Sequence, residues 1–216
     1  MISPPSVIPL FPLPNLVLFP GVVVPLHIFE QRYRAMIADV RRTDSIIGMT
    51  LLKGNWQADY YAYPEIYSIG CAGRIVKLDE LSDGRFNLLL QGIAEFRVAQ
   101  EIRERAYRRA RVEWCASARQ GADFGEVESA EIRRLLVELM GDEGEQILNG
   151  VLELKLSSWQ IVNFLCFHLE FDPLEKQALL EALDQRASYL QDLLIFKLQE
   201  RKSGTGGQDG GSALAQ

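Results

Sequence analysis

Two histidines and three cysteines are the side chains best suited to nucleophilic or metal chemistry in this sequence, and their spacing decides what they could do. A thiol nucleophile needs a base within hydrogen-bond reach. Cys166 and His168 stand two apart in LCFHLEF, and on a helix such side chains face different directions. His168 therefore reads as a solvated or capping residue. His27, between Leu26 and Ile28 in an apolar run bounded by prolines, reads as a hydrogen-bonded structural histidine. A pairing of Cys71 or Cys115 with either histidine across the fold stays open. Structural zinc requires four Cys or His ligands at close paired spacing, and no such pairs occur. His168, Glu170 and Asp172 alternate along whatever element carries them, so no metal is expected there. The neighbouring carboxylates Asp79/Glu80 and Asp142/Glu143 read as turn and solvated-face residues rather than as an acid/base pair. Neither GxxxxGK[ST] nor GxGxxG is present, and the glycine-dense stretch Gly204–Gly211 lacks a preceding strand and the lysine. No cofactor is expected.

Two surface features remain. Arg103, Arg105, Arg108, Arg109 and Arg111 place five guanidinium groups within nine residues, beside Tyr107. Such a run could hold phosphates. Glu101, Glu104 and Glu113 flank it, however, and the chain carries a net charge of -6, so pairing with the acidic C-terminal half is the expectation and nucleic acid is not. The second feature is an aromatic stretch: Trp56, Tyr60, Tyr61, Tyr63 and Tyr67. Tyrosine and tryptophan offer a large contact area with a polar handle, the chemistry of binding faces. They could equally cover a core and stiffen a long loop.

The elements that must position these residues are legible in outline. Residues 7–26 are apolar but contain Pro9, Pro12, Pro14, Pro20 and Pro25, which no helix tolerates. Short edge-like strands joined by tight turns fit, with Pro20-Gly21 as a turn. An amphipathic helix follows over about 28–41, with Phe29, Tyr33, Met36, Ile37 and Val40 as its apolar face. Strands are expected at 45–52, 70–78, 85–91, 94–100 and 107–115, with Asp83-Gly84 as a hairpin turn and 54–70 as a long connection. Beyond Gly121 the apolar period becomes helical, in five stripes: Ile132 to Met140, Ile147 to Leu156, Val162 to Leu169, Leu179 to Leu183, and Leu190 to Leu198. Ser158 is the expected N-cap of the helix carrying Trp159, and Asp172-Pro173 followed by Glu175 opens the next.

Composition divides the chain at the same place. Residues 1–116 carry 14 basic and 12 acidic side chains, whereas residues 117–216 carry 9 and 17. Seven of nine prolines lie within the first 25 residues, and five of 17 glycines within the last 13. The organisation read from this is a β domain over 1–116, a helical bundle over 117–202 and a flexible glycine-rich tail over 203–216. Three unpaired, widely spaced cysteines suit a reducing compartment. The first residues carry no basic region before an apolar run, and nothing approaches the ~20 apolar residues of a membrane span. A soluble cytoplasmic protein, with no membrane contact, is expected.

Together these residues resemble a known family. The opening IPLFPLPNLVLFPGVVVPLHIFEQRYRAMI, residues 8–37, is similar to the start of the substrate-binding N-terminal domain of Lon-type ATP-dependent proteases. Its cadence is met by Pro12-Leu13, Phe19-Pro20-Gly21, Pro25-Leu26 and Phe29-Glu30-x-Arg32-Tyr33. Tyr67 to Ile75, Leu88 to Gly92 and Leu174 to Glu181 resemble further blocks, and the likeness spans about residues 8–199. The resemblance implies an α+β fold: a six-stranded, PUA-like β pseudobarrel with one packed helix, then a helical bundle ending in a long helix.

It also implies a function. In full-length members the long helix leads on to an ATPase and a peptidase. The Walker lysine and the serine–lysine dyad have no counterparts among these 216 residues, so a non-catalytic module is expected. It would bind unfolded or degron-bearing polypeptide, or a partner protein, as a recognition or accessory factor in proteolysis. Trp56, Tyr60, Tyr61, Tyr63 and Tyr67 would supply apolar contact, with Arg32, Arg74 and Arg85 in orientation or packing. The rival readings are an enzyme of unrecognised type, with Cys71 or Cys115 clustered with a histidine and an acid, and an RNA-binding module.

Overall fold

The computed structural model describes residues 4–59, 63–115 and 126–205. Six strands come first: β1 (Val7–Leu13), β2 (Val23–Ile28), β3 (Ile46–Leu51), β4 (Ile69–Glu80), β5 (Phe86–Ile102) and β6 (Arg109–Trp114). Helix α1 (Gln31–Val40) lies between β2 and β3. The helices α2 (Glu126–Met140), α3 (Asp142–Glu153), α4 (Ser158–His168), α5 (Pro173–Glu181) and α6 (Arg186–Thr205) follow, the last being the longest at 20 residues. The fold is α+β.

The strands form one mixed sheet in the order β2-β5-β4-β3-β1-β6. β6 also pairs with the far half of β5, so the sheet closes on itself. β1 and β3 run parallel, and the other pairings are antiparallel. β2 extends the sheet outside the closure, against residues 86–91 of β5. The expectation of edge strands at the prolines thus holds for β2 but not for β1, which lies between β3 and β6. Alternation explains why β1 tolerates two prolines. The Leu10 N–H donates to Arg108 O at 2.8 Å on the β6 side. Pro12 therefore faces β6 and Pro9 faces β3. Pairing with β6 spans only Val7–Pro9, and pairing with β3 begins only at Leu10. Each missing donor falls where no ladder partner stands.

The expected strands 85–91 and 94–100 are one strand, β5, 17 residues long. The apparent break at Gly92-Ile93 is a β-bulge: Ala94 pairs with Ala72 and Gly92 with Gly73, leaving Ile93 as the extra residue. Glycine is needed elsewhere for close approach. A Cβ at Gly48 or Gly70 would lie 2.7 Å from Cζ of Phe96, whose ring occupies the space between β3 and β4.

Helix α1 begins three residues later than expected, after Glu30. Tyr33, Met36, Ile37 and Val40 are buried as expected, but Phe29 precedes the helix and is 61% exposed. In the helical half, the cap of α4 is Ser157 rather than Ser158. Ser157 Oγ accepts from Gln160 N while Gln160 Oε1 accepts from Ser157 N, a capping box. Asp172 caps α5 as expected, accepting from Leu174 N and Glu175 N at 2.8 and 2.9 Å. The stripe expected to run on to Leu156 breaks earlier: α3 ends at Glu153 and Leu154 is exposed.

One apolar core runs from Phe19, Met49 and Leu90 of the β half, past Ile37 of α1, to Leu135, Leu165 and Leu190 of the helices. A smaller cluster takes one residue or more from every strand of the closure: Ile8, Ile46, Ala72, Phe96 and Val112.

Candidate functional site

The aromatic stretch leaves β3 through a short 3-10 turn, Trp56–Asp59. Its base is zipped. Lys53 N donates to Glu65 O at 2.8 Å, Tyr67 N donates to Leu51 O at 2.9 Å, and Leu52 bridges Ile66. Pro64 is buried, and its carbonyl accepts from Arg108 Nη1 at 2.7 Å. Arg108 in turn forms a two-pronged pair with Glu101, at 3.0 Å from Nε and 2.7 Å from Nη2. Tyr63, 40% exposed, carries the Arg103 guanidinium 4.4 Å above its ring and that of Arg108 at 5.6 Å. A cation over the face of a ring is attracted by the ring quadrupole, so Tyr63 is held in place although it is partly exposed. Trp56 is half-buried. Tyr67 is half-buried too and packs on the core, with Lys53 Nζ 4.9 Å from its ring. Tyr60 and Tyr61 lie outside the described residues.

Charge suggests that the arginine run pairs with the acidic helical half, but among the described residues its ion pairs are with other carboxylates. Arg108 bonds Glu101, Arg109 lies 3.8 Å from Glu104, and Arg105 lies 3.6 Å from Asp39 of α1. These partners all belong to residues 1–116, which the charge totals of the two chain halves do not reveal.

The three other candidate arginines lie elsewhere. Arg32 donates to Glu30 at 3.0 Å and sits 4.6 Å over the Tyr33 ring, bracketing the start of α1. Arg74 is exposed on β4, in register with Ile46 and Gln91. Arg85 donates to Asp83 at 2.7 Å, which holds the Asp83 carboxyl below its ordinary value, and its Nη1 lies 3.3 Å from His27 Nε2. Tyr67 precedes β4 and Arg85 follows it, so roughly 35 Å of strand separates them. Among the described residues the candidates do not gather into one site. They divide into an aromatic loop at one end of the β half, the outer face of the β2–β5–β4 extension, and the start of α1.

The thiols are poorly placed for covalent chemistry. Burial pushes Cys166 up to about 12, and burial followed by the nearby Glu95 charge raises Cys71 well above its ordinary value. Cys115 is raised by burial and by Glu95. A nucleophile needs the thiolate, so these remain inert thiols near neutral pH. The two nitrogens of His27 face Asn87 Oδ1, at 2.6 Å, and Arg85, while His168 Nδ1 faces Phe164 O at 2.9 Å. Among the described residues no three His, Cys, Asp or Glu side chains gather as a metal-binding group, and no helix is long and apolar enough to cross a membrane.

Sequence reasoning missed the polar centre that joins the two halves. Arg186 and Glu95 are fully buried and meet at 2.6 Å. Arg186 also donates to Asn163 Oδ1 at 2.5 Å and to the carbonyls of Leu179 and Leu180, and it stacks on Trp159 and Phe19. Asn163 Nδ2 reaches Pro20 O at 3.0 Å, and Gln177 Nε2 reaches Ile69 O at 2.9 Å. A signal existed: Arg186 stands four residues before Leu190 and eight before Leu194, on the line of the apolar stripe of α6.

The chain matches the family described as ATP-dependent protease La (LON) substrate-binding domain over residues 7–194. It is 32% identical over 203 residues to Lon protease 2 of Myxococcus xanthus, covering 92% of this chain and 24% of that protein. It is 30% identical over 203 residues to the Lon protease of Anaeromyxobacter dehalogenans, covering 92% and 23%. The chain thus spans about a quarter of the length of these curated relatives. Among solved structures it is similar to a Lon N-terminal domain protein from Xanthomonas campestris, with a TM-score of 0.65 and 25% identity over 88% of this chain and 98% of that one. It shares its fold with the N-terminal domain of a Mycobacterium avium complex Lon protease, at a TM-score of 0.65 and 17% identity, over 90% of this chain and 98% of that one. With the closed six-stranded sheet and the appended helices in view, the match across residues 7–194 makes the chain a member of the LON substrate-binding domain family.

Proposed function

We propose that the chain is a non-catalytic recognition module that acts in the cytoplasm, binding unfolded or degron-bearing polypeptide, or a partner protein, on behalf of proteolysis. The observation that carries this reading is the family match over residues 7–194, to a domain whose description is substrate binding. The buried, protonated thiols favour it over cysteine chemistry. The partly exposed Tyr63, with Arg103 over its ring, and the half-buried Trp56 supply the kind of aromatic contact that apolar segments use. Arg74, Arg85 and Arg32 orient or pack, and the β and helical halves serve as one platform.

Calorimetric titration of the whole chain with a permanently unfolded test protein, joined to photocrosslinking, tests the reading. Saturable binding is expected, weakened severalfold by Tyr63→Ala or Trp56→Ala. No heat and no crosslink at about 100 μM, where even a ligand with a binding free energy of only about 5.5 kcal/mol would half-occupy the chain, would overturn it.

A further inference from the structure

A cavity of about 440 Å³ opens between the start of β1, the end of α1, the start of β3 and the turn before β6. Its wall is in large part apolar, with Val7, Pro9, Val40 and Ile46. Three guanidinium groups also line it, those of Arg42, Arg105 and Arg109. Two of these belong to the arginine run that the polypeptide reading left unused. Arg105 and Arg109 have their acidic neighbours at 3.6 and 3.8 Å, beyond hydrogen-bond length, so among the described residues no carboxylate takes a short hydrogen bond from either guanidinium. Arg42 makes no ion pair among the described residues. The carboxylate oxygen that Arg105 faces, Asp39 Oδ2, takes its short hydrogen bond from Tyr107 Oη at 2.8 Å instead. The last carbonyls of α1, which would repel an anion, are occupied as well. Ile37 O, Asp39 O and Val40 O accept from Arg41 N, Arg42 N and Thr43 N.

We propose that this cavity receives the C-terminal end of a polypeptide, its free carboxylate held by Arg42 and Arg105 and its last apolar side chain against Val7, Pro9, Val40 and Ile46. The proposal rests on the polypeptide-recognition reading and specifies which part of the chain is recognised. An anion on an apolar stem fits this lining. A guanidinium fork is the donor geometry that a carboxylate accepts in two-pronged fashion. A nucleic acid would ask instead for a basic groove that tracks successive phosphates. This is a single cavity, half apolar, with Asp39 and Asp44 on its wall, in a chain of net charge -6.

The test is fluorescence anisotropy of the whole chain with a labelled decapeptide ending in leucine, as the free acid, as the C-terminal amide, and as the amide with an internal aspartate. The free acid is expected to bind about tenfold more tightly than either amide, the loss of one charged hydrogen-bonded contact. Arg42→Ala and Arg105→Ala, both at exposed side chains, are expected to remove that preference and leave the thermal midpoint unchanged. Equal binding of acid and plain amide overturns the proposal. So does equal binding of the acid and the aspartate-bearing amide, which would assign the pocket to side-chain carboxylates. Binding of a single-stranded oligoribonucleotide that needs the same two arginines, without binding of the peptide, also overturns it. If the unfolded test protein binds but the free acid shows no advantage, the cavity inference alone fails. If neither binds, the recognition reading fails with it.

Discussion

Arg186 is the residue on which most of the interior polar geometry converges. Its Nε, Nη1 and Nη2 reach Leu179 O, Asn163 Oδ1, Glu95 Oε1 and Leu180 O, while Glu95 Oε2 is buried and has no hydrogen-bond partner among the described residues. Taking two charges out of water is costly, and the pair offsets that cost only while both members are present. Arg186→Met is therefore expected to destabilise by about 3–5 kcal/mol, because Glu95 is left as an unpaired buried charge. The double change Glu95→Gln with Arg186→Met should recover part of this. Urea denaturation of the wild type, both single variants and the double variant reads it out. A loss below about 1 kcal/mol for Arg186→Met would mean the pair contributes little. The two fully buried thiols make a second residue-scale prediction. Cys166, at about 12, and Cys71, also raised, ionise far less readily in the folded chain than a free thiol at about 8.5. Above that pH the unfolded chain has lost protons that the folded chain keeps. Stability is therefore undiminished below pH ~8.5 and falls as pH rises beyond it, by up to about 1.4 kcal/mol per pH unit for each thiol. Cys166→Ala should make the alkaline limb of a stability–pH profile shallower, and an unchanged slope would contradict this account.

At the scale of elements, the two capped helices differ in the quality of their caps. Asp172 accepts two backbone N–H groups at 2.8 and 2.9 Å and has Pro173 at the first helical position, whereas the Ser157 bond is long at 3.4 Å. Asp172→Ala is expected to cost about 1–2 kcal/mol and Ser157→Ala clearly less, with Asp172→Asn near neutral. Denaturant midpoints compare them directly, and a larger loss at Ser157 would reverse the assignment. The Asp172 cap was legible because all its parts are local: cap, proline and acid within four residues. The presence of α1, the outline of the C-terminal apolar stripes and the hairpin at Asp83-Gly84 were legible for the same reason. What was not legible depends on partners far along the chain. The Gly92-Ile93 break is bridged because Gly73 and Ala72 stand opposite it. β1 is interior because β3 and β6 arrive on either side of its prolines. The same limit governs the site. The aromatic loop was visible as composition, but Arg42 and Arg105 share a cavity only because α1 and the turn before β6 meet. No spacing rule relates positions 63 residues apart.

At the scale of the whole molecule, the question is whether the β half and the helical half are separable. The sequence divides them by charge and by period, yet the interior does not. The larger core includes Phe19 and Leu90 from one side and Leu165 and Leu190 from the other. Three polar contacts cross the same boundary: Arg186 to Glu95, Asn163 to Pro20 O and Gln177 to Ile69 O. Removing the helices would expose that apolar surface and leave Glu95 without its cation, so the halves are expected to unfold together. Two tryptophans report on them separately. Trp114, at the end of β6, donates to Pro5 O at 3.0 Å, and Trp159 lies beneath Arg186 on α4. With Trp56→Phe as a common background, Trp159→Phe leaves a β-half reporter and Trp114→Phe leaves a helical one. Coincident urea midpoints in the two variants, each corrected for its own stability by circular dichroism, are expected. A helical reporter that melts first would make the helices a detachable unit, and the recognition surfaces proposed on the β half would then have to function without them. Coincidence instead ties the aromatic loop and the arginine-lined cavity to the same cooperative core that α6 completes. A polypeptide bound at either place would stabilise the helices against denaturant as strongly as it stabilises the sheet.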